Sequence, residues 1–347
     1  AYPYRNNGIS HFIGEYAAEL RRRGHAVETE RMYFWMEKWR NWRWLTLIGR
    51  LRDGFDAILV QHTPTASGPL LPLFLRAARK RGVPVAVISH EMPSVYAKHL
   101  PAALRPLYHA YERSILAGAA VPVVQSELHA RELKSIGFHR PVTVVPVPVY
   151  ASAHATPPLD GPRDAWGYYG MISPKKGVDL LLSAYCRRPP GHFPPLRLFG
   201  GPAPGNEPYV ESLRQSVPEA YRAHIAFRGY VEDADLPGEL ARLSLVVLPY
   251  RWASQSAVLT EALRHHVPYL ASDLPFFAEF QARYGLGTLF RTDSVDDLLH
   301  ALEAARENPW PRTPQTKAAF EAVLEELSLR NCADTLLAAI EKSRTRG

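Results

Sequence analysis

Short apolar runs alternate with stretches of helical periodicity through almost all 347 residues of this chain, and the rhythm breaks only once. In the first part the apolar runs fall at 57–60, 83–88, 121–124 and 142–147, with helical pattern at 70–81 and 104–116 between them. An opening helix is expected over 9–23, where Phe12, Ile13, Tyr16, Ala17 and Leu20 share one face, and Gly24 stops it. Ala26-Val27-Glu28 then reads as a short strand. Residues 151–165 have no period and are rich in Ala, Pro and polar side chains, which marks a linker. The alternation restarts with apolar runs at 166–172, 196–199, 225–227, 245–248, 269–271 and 288–290, and helical pattern resumes from about 316. Strands alternating with helices give a mostly parallel sheet covered on both faces. The expected fold is therefore α/β, with two Rossmann-like, doubly wound domains facing a cleft. These are residues 1–150 and 166–347, the last helix crossing back to the first domain. Ligands of such sheets bind at the carboxyl ends of the strands.

The first domain lacks an obvious opening strand. Ala1-Tyr2-Pro3 runs straight into the turn signal Asn6-Asn7-Gly8, and the sequence does not begin with Met. The expectation is that a few residues carrying most of a central first strand precede it in the natural protein.

Charge separates the two halves. Residues 1–150 hold 20 Lys and Arg against 11 Asp and Glu, whereas residues 151–347 hold 21 against 23. A basic first half suits an anionic partner, such as a phospholipid surface, nucleic acid or an anionic acceptor, though a merely solvated basic surface fits as well. With no recognised nucleic-acid module in the chain, no nucleic acid is expected. The two cysteines, Cys186 and Cys332, lack metal-ligand spacing and offer no disulfide framework, consistent with a reducing compartment. No apolar run reaches the roughly 20 residues that a membrane helix needs, and no signal peptide is visible. The expected location is cytoplasmic, on or near the inner face of a membrane.

Two segments carry chemistry. In Gly170-Met171-Ile172-Ser173-Pro174-Lys175-Lys176-Gly177 a strand ends, a tight loop bears two lysines, and a helix opens. Lysines and helix N-termini both favour phosphate, although an ordinary exposed loop would look the same. In Leu248-Pro249-Tyr250-Arg251-Trp252-Ala253-Ser254-Gln255-Ser256-Ala257-Val258 a buried strand meets a helix start rich in hydroxyls, with Glu261 about two turns further on. Free N–H groups at such a start can hold a pyrophosphate, and a carboxylate at Glu261 could accept from ribose hydroxyls. The plainer reading makes Ser254 or Ser256 an N-cap and Glu261 a solvated helix residue.

In order and spacing the two segments resemble family 4 of the retaining glycosyltransferases, the glycosyl transferases group 1, which have the glycosyltransferase B fold. Gly8-Ile9 with Arg23-Gly24-His25, Ile88-Ser89-His90-Glu91, Val124-Gln125-Ser126-Glu127, Val144-Val145-Pro146, and Pro268 to Asp273 followed by Glu279 extend the likeness over nearly the whole chain. The resemblance implies a nucleotide-sugar donor, a glycan or lipid-linked acceptor, retention at the anomeric carbon, and no cofactor or catalytic metal. It implies that Lys176 contacts the donor pyrophosphate and Glu261 the ribose. The backbone of Ser256, Ala257 and Val258 would cap the phosphates beside Gly170, Gly8 would let the first loop approach the donor, and His90 would sit by the transferred sugar. In this picture His90 and Lys176 are the catalytic pair. Two positions depart from the family pattern: Met171 stands where Arg is usual, and Ala253 where a first Glu is usual. Alternatives are a nucleotide-sugar epimerase of the same fold and a degenerate subunit that binds without turnover.

Residues 31–52, from Arg31 to Arg52, combine Trp35, Trp39 and Trp42 on one helical face with Trp44, Leu45, Leu47 and Ile48, and with five Lys and Arg after Arg31 that include Lys38 and Arg40. Such a stretch suits an anionic membrane interface, or equally a core packing role. Asp233-Ala234-Asp235 invites a metal reading but precedes Leu236-Pro237, so it is read as a helix cap.

Overall fold

A computed structural model describes residues 8–30, 43–149 and 161–345. The turn at Asn6-Asn7, the tryptophans Trp35, Trp39 and Trp42, and most of the proposed linker lie outside the described residues. The chain divides into two compact units, Ala1–Tyr150 with Leu327–Gly347, and Ala151–Glu326.

The first unit contains α1 (Gly8–Arg22), α2 (Arg43–Arg50), β1 (Ile58–His62), α3 (Pro64–Ser67), α4 (Leu71–Lys80), β2 (Val85–Ser89), α5 (Pro93–Ala97), α6 (Arg105–Gly118), β3 (Val121–Val124), α7 (Glu127–Ser135) and β4 (Thr143–Val144). Its strands form a parallel sheet in the order β1-β2-β3-β4. Side chains alternate across a strand, and β2 feeds two cores in turn. Val85 and Val87 pack with Leu71, Phe74, Ile115 and Leu116 on one face. Ala86 and Ile88 pack with Phe12, Tyr16, Cys332, Ala333 and Leu336 on the other.

The second unit contains β5 (Ala165–Tyr169), α8 (Val178–Tyr185), β6 (Leu196–Phe199), α9 (Glu207–Ser216), β7 (Ile225–Gly229), α10 (Leu236–Ala241), β8 (Leu243–Leu248), α11 (Ala257–Arg264), β9 (Tyr269–Ser272), α12 (Pro275–Tyr284), β10 (Gly287–Phe290), α13 (Val295–Glu307) and α14 (Pro314–Glu326). The final helix, α15 (Leu329–Arg344), belongs to the first unit, where Leu336 and Ile340 join the core around Phe12. The second sheet is parallel, in the order β10-β9-β8-β5-β6-β7. Its first and fourth strands, β5 and β8, are therefore neighbours at the centre. That is the doubly wound order, with the switch point and its crevice at the carboxyl ends of β5 and β8.

Two expectations need correction, and one choice left open by the sequence is decided for Trp44. Residues 26–28 form no strand, because they are flanked by charged residues and only Val27 is even half-buried. The run at 142–147 shrinks to the two residues of β4, since Pro146 cannot donate to a ladder. Trp44 is a core residue: it is buried against Phe74 at a ring separation of 4.9 Å, and its Nε1 donates to the Ser67 carbonyl at 2.7 Å. Leu47 and Ile48 pack on the same core. Of the apolar residues expected to extend this surface, Trp44, Leu47 and Ile48 thus turn inward, whereas Leu45 stays exposed.

Candidate functional site

The loops after β5 and β8 meet at the switch point of the second unit. Gly177 has φ +64°, and a Cβ placed on it would lie 1.8 Å from the Pro249 carbonyl oxygen. Only glycine permits this approach, both by conformation and by space. The Arg251 N–H donates to the Lys175 carbonyl at 2.9 Å, which ties the two loops a second time. Gly170, with φ +121°, lies where a Cβ would stand 3.2 Å from Val258 Cγ2, so the turn after β5 runs beside the first turn of α11.

The Arg251 side chain is a clamp. Its Nη1 and Nη2 donate to the two Asp179 carboxylate oxygens at 2.8 and 2.7 Å, Nε donates to Asp293 at 2.7 Å, and Nη1 also donates to the Pro174 carbonyl at 2.6 Å. Tyr209 donates to Asp179 at 2.7 Å. Burial alone would raise the Asp179 pKa, but the Arg251 and Tyr209 hydrogen bonds outweigh it and hold the carboxyl below its usual range. A forked guanidinium–carboxylate pair fixes orientation as well as charge. The lysines lie on aromatic faces: Lys176 Nζ is 3.6 Å from the Tyr250 ring centre and Lys175 Nζ is 4.4 Å from that of Trp252. Such contacts hold an ammonium in place without neutralising it.

Ser256 is buried and caps α11, its hydroxyl accepting from the Leu259 N–H at 3.3 Å. The cap uses one of the four N–H groups that a helix start leaves without intrahelical partners. Ala257 and Val258 supply the first two N–H groups of the helix, next to the Gly170 turn. Glu261 is not a solvated helix residue. Its Oε1 accepts from Arg264 Nη2 at 2.6 Å and lies 3.3 Å from His265 Nε2. Burial would raise its pKa, but the His265 hydrogen bond and the Arg264 charge lower it, so the carboxylate stays ionised. Sequence reasoning missed these partners, although the i, i+3 and i, i+4 spacing on a helix is a usable signal. Of the two departures, Ala253 is buried and Met171 is 47% exposed.

His90 belongs to the first unit. It follows β2, is 5% exposed, and its Nε2 lies 2.7 Å from Gln61 Oε1 while its backbone N–H donates to the His62 carbonyl at 3.0 Å. Burial, then the neighbouring His62, push its pKa down to about 3. The ring is therefore neutral at physiological pH and acts as a hydrogen-bonding group. His62 itself lies between Ser67 Oγ at 2.7 Å and Glu112 Oε1 at 2.9 Å, all three buried. Gly8, also in the first unit, is the first residue of α1. Asp235 occupies the N-cap position of α10 but makes no side-chain cap hydrogen bond. Among the described residues no group of three or more His, Cys, Asp and Glu side chains could hold a metal ion.

Two family models match. Residues 153–321 match the glycosyl transferases group 1, and residues 30–148 match the glycosyl transferase 4-like domain. A GDP-mannose:glycolipid 4-beta-D-mannosyltransferase from Xanthomonas campestris pv. campestris is 30% identical over 162 residues, 43% of this chain and 45% of that protein. The match thus spans less than half the length of this relative. Among solved structures, a sucrose-phosphate synthase from Thermosynechococcus elongatus superposes with TM-score 0.74 at 16% identity, covering 98% of this chain and 94% of that one. HepE from Anabaena, in complex with UDP, superposes with TM-score 0.68 at 15% identity, covering 94% and 88%.

Proposed function

Since the chain belongs to the glycosyltransferases of the B fold, we propose that it transfers a sugar from a nucleoside diphosphate sugar to a hydroxyl of a glycolipid or glycan. The observation that carries this reading is the contact of the two loops at the β5/β8 switch point, where Gly177 meets Pro249 and Lys176 lies on the Tyr250 ring. In this reading the donor diphosphate lies against Lys176 and the N–H groups of Ala257 and Val258, and Glu261 accepts from the ribose. The acceptor preference draws support from the mannosyltransferase relative, whose name specifies a glycolipid.

Bond cleavage at the anomeric carbon leaves a nucleoside diphosphate with growing negative charge. Fixed donors aimed at that charge lower the barrier. Lys176 and the helix start supply them, and Arg251 holds both loops in register without offering its own charge, which Asp179 and Asp293 already balance. His90, neutral and buried, donates or accepts a hydrogen bond at the sugar. With retention, the departing phosphate takes the acceptor proton and no protein nucleophile is needed. A second reading is favoured by the same relative, whose name specifies a β-linked product. Were this chain to make such a linkage from an α-linked nucleotide sugar, the anomeric carbon would invert.

Incubation of the protein with radiolabelled GDP- and UDP-sugars and a bacterial glycolipid extract tests the activity. Label in the lipid phase supports transfer, and the anomeric coupling of the product decides between retention and inversion. Interconversion of the nucleotide sugar without transfer would instead indicate an epimerase. Tight nucleotide binding without turnover of any donor would indicate a binding subunit.

A further inference from the structure

We propose that the second unit carries a second ligand site, for an amphipathic anion, at the opposite end of its sheet from the donor loops. A cavity of 1320 Å³ opens at the amino ends of the strands, lined there by Trp166, Leu245, Tyr269 and Thr288. Those residues lie in the first halves of β5, β8, β9 and β10, whereas the Lys176 and Ser256 loops follow the carboxyl ends of β5 and β8. The other walls come from α13, whose Ala301, Ala304 and Ala305 leave room, and from residues 308–320.

The charge is one-sided. Arg163, Arg312 and Lys317 line the cavity, and among the described residues its lining includes no Asp or Glu. The carboxylate Glu321 reaches Lys317 at 3.7 Å from outside that lining. Arg163 is the unusual member. Its guanidinium donates to three backbone carbonyls, Leu243 at 2.9 Å, His266 at 3.1 Å and His265 at 2.5 Å. Burial and then the charge of Arg312 lower its pKa to about 10. A buried cation held by carbonyls and not by a carboxylate is incompletely compensated. Much of the remaining lining is apolar or aromatic, with His266 stacked on Phe320 at 5.2 Å. One anionic head with a hydrocarbon or flat apolar body meets all of these features. A bare inorganic anion leaves the apolar walls uncovered, and a neutral lipid brings no charge to the basic lining.

Calorimetry of the full chain with monomeric oleoyl lysophosphatidate tests the site. Saturable binding at one per chain is expected, weakened at least about tenfold, or 1.4 kcal/mol, by Ala304→Phe, which intrudes on the cavity from α13, and by Arg163→Met. Arg163→Met loses three carbonyl contacts and can destabilise the unit, so Lys317→Met, which removes an exposed cation of the lining, is the companion variant and is expected to weaken binding severalfold. Lysophosphatidylcholine and inorganic phosphate are expected to bind far more weakly, and GDP and UDP not to compete. No saturable binding, binding unchanged in Ala304→Phe and Lys317→Met, equal binding of inorganic phosphate, or competition by a nucleotide would each overturn the proposal.

Discussion

The two units present different kinds of chemistry at the carboxyl ends of similar parallel sheets. The second unit's strand ends are built from backbone and fixed charge: Gly177 on Pro249, a capped helix start, lysines on aromatic rings, and the Arg251 clamp. The first unit's strand ends are built from buried polar side chains: His90 on Gln61, and His62 between Ser67 and Glu112. The former suits an anion, whose charge must be met without reorganisation. The latter suits hydroxyl groups, which need both donors and acceptors but no net charge.

The contrast is broken most severely at Gly177. Gly177→Ala places a methyl group inside contact distance of the Pro249 carbonyl and demands a left-handed conformation, so the two loops must part. Nucleotide affinity is expected to fall beyond detection, with a stability loss on the order of 2–4 kcal/mol in urea unfolding. Lys176→Ala should weaken nucleoside diphosphate binding by roughly 10- to 100-fold, as loss of a charged hydrogen bond of about 1.5–3 kcal/mol implies, while leaving the unfolding midpoint nearly unchanged. Arg251→Gln, which keeps a donor but loses the fork, should raise KM for the donor by about tenfold and cost about 1 kcal/mol of stability.

Acid should separate the units. His90 and His129 have folded pKa values pushed down to about 3, chiefly by burial. An unfolded histidine takes a proton near pH 6.5. The unfolded state therefore binds more protons below that pH, and this part of the first unit's stability is present above about pH 6.5 and declines as pH falls toward 3. Asp179 is also depressed, with burial opposed and outweighed by the Arg251 and Tyr209 bonds, but its unfolded reference lies near 3.9, so the second unit loses this contribution only below about pH 4; against the two histidines of the first unit it sets one, His266, lowered chiefly by burial. Hydrogen exchange at pH 5 should show earlier opening of β2 and β3 than of β5 and β8. Equal protection in both sheets would contradict the assignment of His90 and His129 as buried and neutral. The smallest effect concerns residues 31–42: flotation with anionic vesicles at low salt should recover some protein if this stretch meets a bilayer, and none if it packs inward as Trp44 does.

The sequence is most informative where the structure is repetitive. All six strands of the second sheet overlap apolar runs, most completely β8 and β9, which are buried almost throughout, whereas the edge strand β7 exposes Ala226 and Arg228. The glycines of the loop after β5 are legible because a tight turn with positive φ requires them. What stays hidden joins residues far apart in the chain. Arg251 finds Asp179 across 72 positions and Asp293 across 42. His62 finds Glu112 across 50. No periodicity encodes such pairs. Trp44 stays undecided in sequence because a tryptophan beside arginines looks alike whether it faces lipid or a core, and its burial against Phe74 with the Ser67 carbonyl at its indole nitrogen distinguishes the two. Glu261 reads from sequence as a ribose ligand or a solvated residue, and the structure adds a third fact, that Arg264 and His265 already hold one of its oxygens.

Isothermal calorimetry decides whether a nucleoside diphosphate binds the second unit at the β5/β8 switch point. GDP and UDP are titrated into the intact protein and into the Lys176→Ala variant. One of the two nucleotides is expected to bind at one per chain, with affinity falling roughly 10- to 100-fold in the variant. Absence of binding by both nucleotides to well-folded protein, or binding indifferent to Lys176, would contradict the account.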